Sequence, residues 1–342
     1  MIAGCARSPS LSASQGPLIA RVFAELADGQ FHSGEQLARS LSVSRSAIWK
    51  STEALRALGV ALHAVRNRGY QLQSATELLD AATICQNLTH EARERVTGVE
   101  TAWSIGSTNT GLLARPSPAA GTSDVLLAEY QSAGRGRRGR SWIAPPCGAI
   151  CLSLSWTLRE VPQDIGALGL VVGVCALRAL RGQGIESARL KWPNDLLVGE
   201  RKLGGALIDL RAEGSGPAFV VIGVGVNVAL GAVILSKIAA SGIAATDLAS
   251  EGMNGLSRNK LAASLIDECV RGLVAFERQG LKSFIEEWRG ADALRGRRVD
   301  VSTVEAISRG VARGIDAHGA LLVETRQGVR RFVSGDVTVR PA

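Results

Sequence analysis

The 342-residue chain is 46% hydrophobic and 20% charged, a globular composition with room for about two or three domains, which excludes a disordered or fibrous protein. Lys and Arg outnumber Asp and Glu by 39 to 31, and the resulting charge of +8 suits an anionic partner such as nucleotide, DNA or an acidic protein without choosing among them. The six cysteines (Cys5, Cys85, Cys147, Cys151, Cys175, Cys269) are scattered, with no Cys-x-x-Cys pair or nearby histidines to complete a metal set, so reduced thiols and no protein-bound metal are expected. No apolar run approaches a membrane span, and residues 1–16 lack the apolar stretch of a secretory signal, so a cytoplasmic protein is expected.

Residues 1–16, rich in Ser and Ala, read as a disordered extension. Residues 17–76 then read as a small helical domain. Leu18, Ile19, Val22, Phe23 and Leu26 recur at helical spacing, Asp28-Gly29 stops the helix, and a second one runs Glu35 to Ser40. Ser44 can cap a third, Arg45 to Leu58, after a turn short enough for a helix-turn-helix. Val60 to Val65 and Tyr70 to Leu72 would form a hairpin with Arg66 and Arg68 at its tip, which is the wing of a winged helix. DNA binding would use Ser44, Arg45, Ser46, Trp49 and Lys50 in the major groove and Arg66 and Arg68 on phosphate; a winged helix used only for protein contacts is the other reading.

A linker around Ser74 to Leu79 leads into helical signals over Leu78 to Arg95, and then into a strand that ends in Ser107-Thr108-Asn109. Those three residues can cap the next helix or hydrogen-bond a neutral polar ligand, and the sequence leaves both readings open. After the strand-like Val125 to Ala128 comes Gly134-Arg-Gly-Arg-Arg-Gly-Arg140, with four arginines and three glycines in seven residues. Glycine lets backbone approach a ligand, and arginine offers forked donors to phosphate or carboxylate, so the segment reads as an anion-binding loop. Gly134, Gly136 and Gly139 also spell G-x-G-x-x-G, but the helix a dinucleotide fold requires is replaced by Pro145-Pro146 and an alternating strand, Ala149 to Trp156.

Ile165 to Leu180 reads as a buried helix. Lys191 closes a strand beside Trp192-Pro193, where Asn194-Asp195 turn the chain, and a half-buried lysine there can act as a point charge for an anion. The return strand, Lys202 to Leu210, precedes another, Ala218 to Val228, whose alternate glycines in Gly223-Val-Gly-Val-Asn227 suggest that something packs flat against it. Two helices, Ser257 to Gln279 and Leu281 to Trp288, lead into short glycine-punctuated strands: Arg298 to Ser302, Ser308 to Ile315, Ala320 to Glu324, Arg330 to Ser334 and Val337 to Arg340. These suit a small β-barrel.

Taken together, the arginine loop, Lys191-Trp-Pro-Asn-Asp195, Lys202-Leu-Gly-Gly205 and Gly223-Val-Gly-Val-Asn227 closely resemble bacterial biotin protein ligases. With the winged helix, the chain is similar to the bifunctional form that also represses the biotin operon, over about residues 17–340. The resemblance implies an α+β fold: the winged helix-turn-helix, a catalytic domain at 80–290 with a mixed sheet related to class II aminoacyl-tRNA synthetases, and an SH3-like barrel at 291–342. It implies that biotin and ATP, with Mg2+, give biotinyl-5′-adenylate and pyrophosphate, and that a lysine of the biotin carboxyl carrier protein of acetyl-CoA carboxylase then takes the biotin. It also implies binding to operator DNA, as a homodimer when the adenylate is bound.

By the same resemblance, Ser107, Thr108, Asn109, Gln131, Arg135, Gly136, Arg137 and Lys191 contact biotin, with Lys191, Arg135 and Arg137 taking part in catalysis. Trp142, Arg138, Arg140, Asn227 and Arg313 fall on the ATP or adenylate side. Pro145-Pro146-Cys147-Gly148 holds one residue more than the family's usual spacing after the tryptophan. The alternatives are a lipoate-type ligase of the same fold, and a biotin-sensing repressor without ligase activity.

Overall fold

The structure, a computed structural model, describes residues 16–212, 218–303, 306–333 and 338–341. Residues 1–15 of the expected extension and the expected strand ends at Ser334 and Val337 lie outside the described residues.

Helices α1 (Leu18–Leu26), α2 (Gly34–Ser40) and α3 (Arg45–Ala57) open the described chain. Ser33 and Ser44 cap the second and third by accepting hydrogen bonds from the Gln36 and Ala47 amides at 3.1 and 3.2 Å. Strands β1 (Leu62–Val65) and β2 (Gly69–Leu72) pair antiparallel, Val65 against Gly69, and form the expected wing. Phe23, Leu26, Leu37, Ile48 and Leu55 make the small core. That core extends past the winged helix, because Trp103 and Cys147 of the central domain belong to it and the Phe23 and Trp103 rings lie 5.4 Å apart.

The central domain starts with α4 (Ala81–Asn87) and α5 (His90–Arg95), two helices separated by extended backbone at Leu88. It continues as β3 (Val96–Ile105), α6 (Thr108–Leu113), β4 (Ser123–Gln131), β5 (Ala149–Leu158) and α7 (Leu168–Gly182). Then come β6 (Ala188–Lys191), β7 (Asp195–Val198), β8 (Arg201–Ala212), β9 (Ala218–Asn227), α8 (Gly231–Ala240), α9 (Arg258–Gln279) and α10 (Ile285–Ala291). The seven strands form one mixed sheet in the order β3-β4-β5-β9-β8-β7-β6, parallel between β3 and β4 and antiparallel elsewhere. Contrary to the expectation that no run reaches a membrane span, Ile165–Gly182 is long and apolar enough, but 67% of it is buried because α7 packs against α9 in the core.

A buried ion pair fastens the linker to this domain. Arg258 Nη2 lies 2.7 Å from Glu129 Oε2, both side chains 5% exposed or less. Glu129 Oε1 accepts from the Leu79 amide at 2.6 Å, while Arg258 donates to the Glu77 and Ala149 carbonyls at 2.7 and 3.1 Å. Four cysteines, Cys147, Cys151, Cys175 and Cys269, are free and buried. Cys85 is disulfide-bonded, against the expectation of reduced thiols throughout; spacing along the chain carries no information on which thiols meet in space.

Strands β10 (Arg298–Ser302), β11 (Ile307–Ile315), β12 (Leu321–Thr325), β13 (Gly328–Phe332) and β14 (Thr338–Pro341) form an antiparallel sheet in the order β13-β12-β11-β10-β14. This C-terminal unit is stitched to the strand that carries Lys191. Ala293 donates to the Leu190 carbonyl at 2.8 Å, and Trp192 Nε1 donates to the Gly319 carbonyl at 3.0 Å. Asp292 sits in the same seam with its Oδ2 buried and unpartnered, and burial pushes its carboxyl up to about 6.

Candidate active site

The site lies where the carboxyl ends of the parallel pair β3 and β4 meet the turn after β6. Ser107 accepts from the Thr110 amide at 3.5 Å and so caps α6, and the same turn brings Ser107, Thr108 and Asn109 to the wall of a cavity of about 140 Å³. The capping reading of that segment therefore holds, and the three residues also stand on a cavity wall. Gln131, paired with Ile105 in the parallel ladder, accepts from the Thr108 amide at 2.8 Å and fixes the hydroxyl beside it. Asn109 is 3% exposed and fully engaged: Oδ1 accepts from Ser153 Oγ, while Nδ2 donates to Asp209 at 2.8 Å and to the Leu207 carbonyl at 3.3 Å.

The arginine loop folds back over the sheet as a flap. The Gly136 amide donates to the Arg140 carbonyl at 2.7 Å and the Trp142 amide to the Gly134 carbonyl at 2.9 Å. Arg138 and Gly139, at φ 57° and 69°, make the left-handed bend at its tip. Arg135 reaches down to Asp209 with both guanidinium nitrogens at 3.2 Å. Trp142 lies flat on β9, where a Cβ on Gly225 would stand 2.7 Å from its ring; a Cβ on Gly223 would stand 2.3 Å from Asn109 Oδ1. The alternate glycines of that strand are thus the floor for two side chains of the site.

Lys191 enters from the opposite side, 3.7 Å from Asp195 Oδ2 and 21% exposed. Burial lowers its pKa from the ordinary lysine value, Lys202 and Arg140 lower it further, and Asp195 offsets part of this. Arg135, Arg137, Arg138, Arg140, Lys191 and Lys202 line the cavity, and among the described lining residues Asp195 is the single carboxylate. A cavity with that charge balance presents a positive potential to anions.

Residues 102–227 match the Biotin/lipoate A/B protein ligase family, residues 21–71 an HTH domain and residues 296–340 the Biotin protein ligase C terminal domain. The chain is 38% identical to the Bifunctional ligase/repressor BirA of Escherichia coli, covering 94% of this chain and 97% of that one. The chain belongs to the bifunctional biotin ligase and repressor family. This ligase is also 33% identical to the Biotin--[acetyl-CoA-carboxylase] ligase of Mycobacterium tuberculosis over 72% of its length and 92% of the relative's. In fold it is similar to the biotin protein ligase from Aquifex aeolicus solved in complex with biotin and ATP, with a TM-score of 0.60 at 24% identity, over 71% of this chain and 99% of that one.

Of the expected biotin and nucleotide contacts, Ser107, Thr108, Asn109, Gln131, Arg135, Gly136, Arg137, Arg138, Arg140, Trp142 and Lys191 share this one cavity. Asn227 and Arg313 are not on its wall. Asn227 is 4% exposed and donates to the Thr246 carbonyl at 2.9 Å, holding the segment after α8. Arg313 pairs with Glu324 on the face of the C-terminal sheet. On the winged helix, Ser44, Arg45, Ser46, Trp49, Lys50, Arg66 and Arg68 are exposed, Trp49 by 55%, and the Arg68 guanidinium lies 4.0 Å over the Phe31 ring. The sequence reading singled out neither Asp209 on β8, Ile243 in the segment after α8 nor Val339 of the C-terminal sheet, nor Lys202 as a site cation.

Proposed function

We infer that this ligase condenses biotin with ATP to biotinyl-5′-adenylate and passes the biotin to a lysine of the biotin carboxyl carrier protein. The observation that carries this is the convergence of a polar Ser107-Thr108-Asn109 end, an apolar strand floor and a cationic flap on one cavity with Lys191. The Thr108 and Asn109 end suits the ureido ring, with donors and acceptors already held by Gln131, Ser153 and Asp209. Val224 and Leu152 supply apolar wall for the thiophane ring and chain. Attack of a carboxylate on a triphosphate brings like charges together, so Lys191, Arg135 and Arg137 would neutralise both and stabilise the charge that builds on the α-phosphoryl oxygens. Arg138, Arg140 and Trp142 would close over the nucleotide and keep water from the mixed anhydride.

Mg2+ would enter on the triphosphate. Among the described residues no cluster of three metal-ligating side chains exists, and the one carboxylate of the cavity is already held by two lysines. The repressor activity would use the exposed face of α3 and the wing on operator DNA, with adenylate-dependent homodimers matching a palindrome, in the cytoplasm where gene and carrier protein are both present.

Biotin-dependent ATP–pyrophosphate exchange and transfer of labelled biotin to a carrier domain test the reading. Label transferred with lipoate and not with biotin would overturn it. Sedimentation with and without biotin and ATP tests the dimer; monomer under both conditions at concentrations that saturate DNA would refute it.

A further inference from the structure

One carboxylate behind the cavity wall grips both ends of the site. Asp209 Oδ2 accepts from Asn109 Nδ2 at 2.8 Å and from Arg135 Nη1 at 3.2 Å, and its Oδ1 accepts from Arg135 Nη2 at 3.2 Å. The sheet puts it there. Leu207 and Asp209 are alternate residues of β8 and face the same side, opposite Gly223 and Val221 of β9, and Asn109 lies on that side over Gly223. Both Nδ2 hydrogens of Asn109 are taken by this strand, one by Asp209 and the other by the Leu207 carbonyl at 3.3 Å, while Oδ1 accepts from Ser153. The amide is thereby fixed in one orientation, with a lone pair of Oδ1 left for a donor. Arg135 gives one hydrogen from each terminal nitrogen to Asp209, leaving its Nε–H and the second Nη hydrogens for a ligand in the cavity it lines. With side chains 45% and 20% exposed, the Arg135–Asp209 pair adds little to the stability of the fold, so its consequence is geometric.

We propose that Asp209 is a positioning residue of the adenylation site, a carboxylate that sets the Asn109 amide and the Arg135 guanidinium against one another before nucleotide arrives. This rests on the adenylation reading above. Asp209 stands behind Asn109 and Arg135 and not on the cavity wall, so it acts through them. Held from below, the guanidinium keeps the flap down without a ligand, and a long side chain and its loop are ordered before the reaction begins. Because Oδ2 serves Asn109 and Arg135 together, a shift of the amide at the biotin end is felt by the flap. The hold on the flap is electrostatic and half exposed, so salt weakens it.

The test uses the full chain without nucleotide and reads amide hydrogen exchange in the flap, from Gly134 to Trp142. Asp209→Asn keeps an acceptor for Asn109 and removes the charge that holds Arg135. Flap exchange should quicken about tenfold in this variant, with biotin Kd within about threefold of wild type. Asp209→Ala removes both contacts, so the flap should quicken equally and biotin Kd should rise at least about fivefold, as a stranded buried amide requires. Raising salt from about 0.05 to about 0.5 M should quicken the wild-type flap several-fold and leave Asp209→Asn unchanged, a response that a merely structural role would not give. Arg135→Met should quicken the flap as Asp209→Asn does, and the two together no further. With ATP added, Asp209→Asn should raise KM for ATP in pyrophosphate exchange about tenfold, because the closed flap is scarcer, and by more than it lowers kcat. Flap exchange at the wild-type rate in Asp209→Asn would overturn the proposal, as would a salt response that the substitution leaves intact. So would equal loss of biotin affinity in the Asn and Ala variants with the flap unmoved, which would mark Asp209 as a scaffold residue. The flap measurement needs no catalysis, so a wild-type chain that passes it and shows no pyrophosphate exchange would overturn the adenylation reading alone.

Discussion

Replacing Gly223 with alanine should cost this ligase its biotin affinity through a neighbour that lies far away in sequence. A Cβ at that position would stand 2.3 Å from Asn109 Oδ1 and 3.0 Å from its Cγ, whereas ordinary contact begins near 3.4 Å. The carboxamide must therefore retreat by about 1 Å. It has no slack to do so, because it is 3% exposed and held at both ends by Ser153, Asp209 and Leu207. Overpacking costs about 1–3 kcal/mol, and stranding a buried amide costs about 1–3 kcal/mol more. If about 2–3 kcal/mol of that reaches the biotin end of the cavity, Kd rises roughly 30- to 150-fold. Calorimetric titration with biotin reads this directly. Because the damage runs through Asn109, Asn109→Ala and the Asn109→Ala/Gly223→Ala pair should bind biotin equally well, the second substitution adding nothing once the amide is gone. Gly223→Ala within twofold of wild type, or strictly additive losses in the pair, would refute the reasoning.

Lys191→Ala should abolish pyrophosphate exchange by 100-fold or more, by the removal of a charge at the reacting centre. Because the Lys191 pKa is lowered, the wild-type rate should decline at a pH below the ordinary lysine value of 10.5, and Lys191→Arg should keep its charge through that range. Asp292, with its carboxyl raised to about 6 from 3.8, stabilises the fold when protonated; that contribution is lost as pH rises from about 4 through about 6. Asp292→Asn should therefore raise unfolding stability at pH 8 by up to about 3 kcal/mol and by much less at pH 4, as read by urea unfolding at the two pH values. Glu129→Gln would leave the Arg258 guanidinium buried without its counter-charge and should lower stability by about 3–5 kcal/mol in the same assay. Arg66→Ala should weaken operator binding at all sequences and reduce the salt slope of log K by about 1, read by titration at several salt concentrations, whereas Lys50→Ala should cost more on operator than on unrelated DNA.

The parts of the site that were legible in the sequence are those where one short segment carries a whole function. Gly134 to Arg140 announces its anion through composition, and Lys191 to Asp195 through a cation beside a proline turn. The glycines at 223 and 225 foretold close packing, but only the structure tells which side chains lie on them. Asp209 was invisible because its partners, Asn109 and Arg135, are 100 and 74 residues away, and only the strand order of the sheet brings them together. Lys202 stood in a quoted motif, yet its pairing depends on a hairpin register that places it on the other oxygen of Asp195. Helix α8 escaped notice for a local reason: Leu230 at its start offers no side-chain cap, and only Ser236 and Lys237 interrupt an otherwise apolar run.

The anchorage of the linker bears on how this chain can be divided. Glu77 and Leu79 lend their backbone to Arg258 and Glu129, so the stretch joining reader to catalyst is a structural member of the catalyst. A truncated enzyme that starts after Leu79 would discard a carbonyl and an amide from an interior charge pair. One starting before Glu77 would retain both, while uncovering Trp103 and Cys147 where they pack into the winged-helix core. Glu129 also lies two positions before Gln131 on β4, so the same strand that lends a side chain to the cavity wall holds the linker to the winged helix.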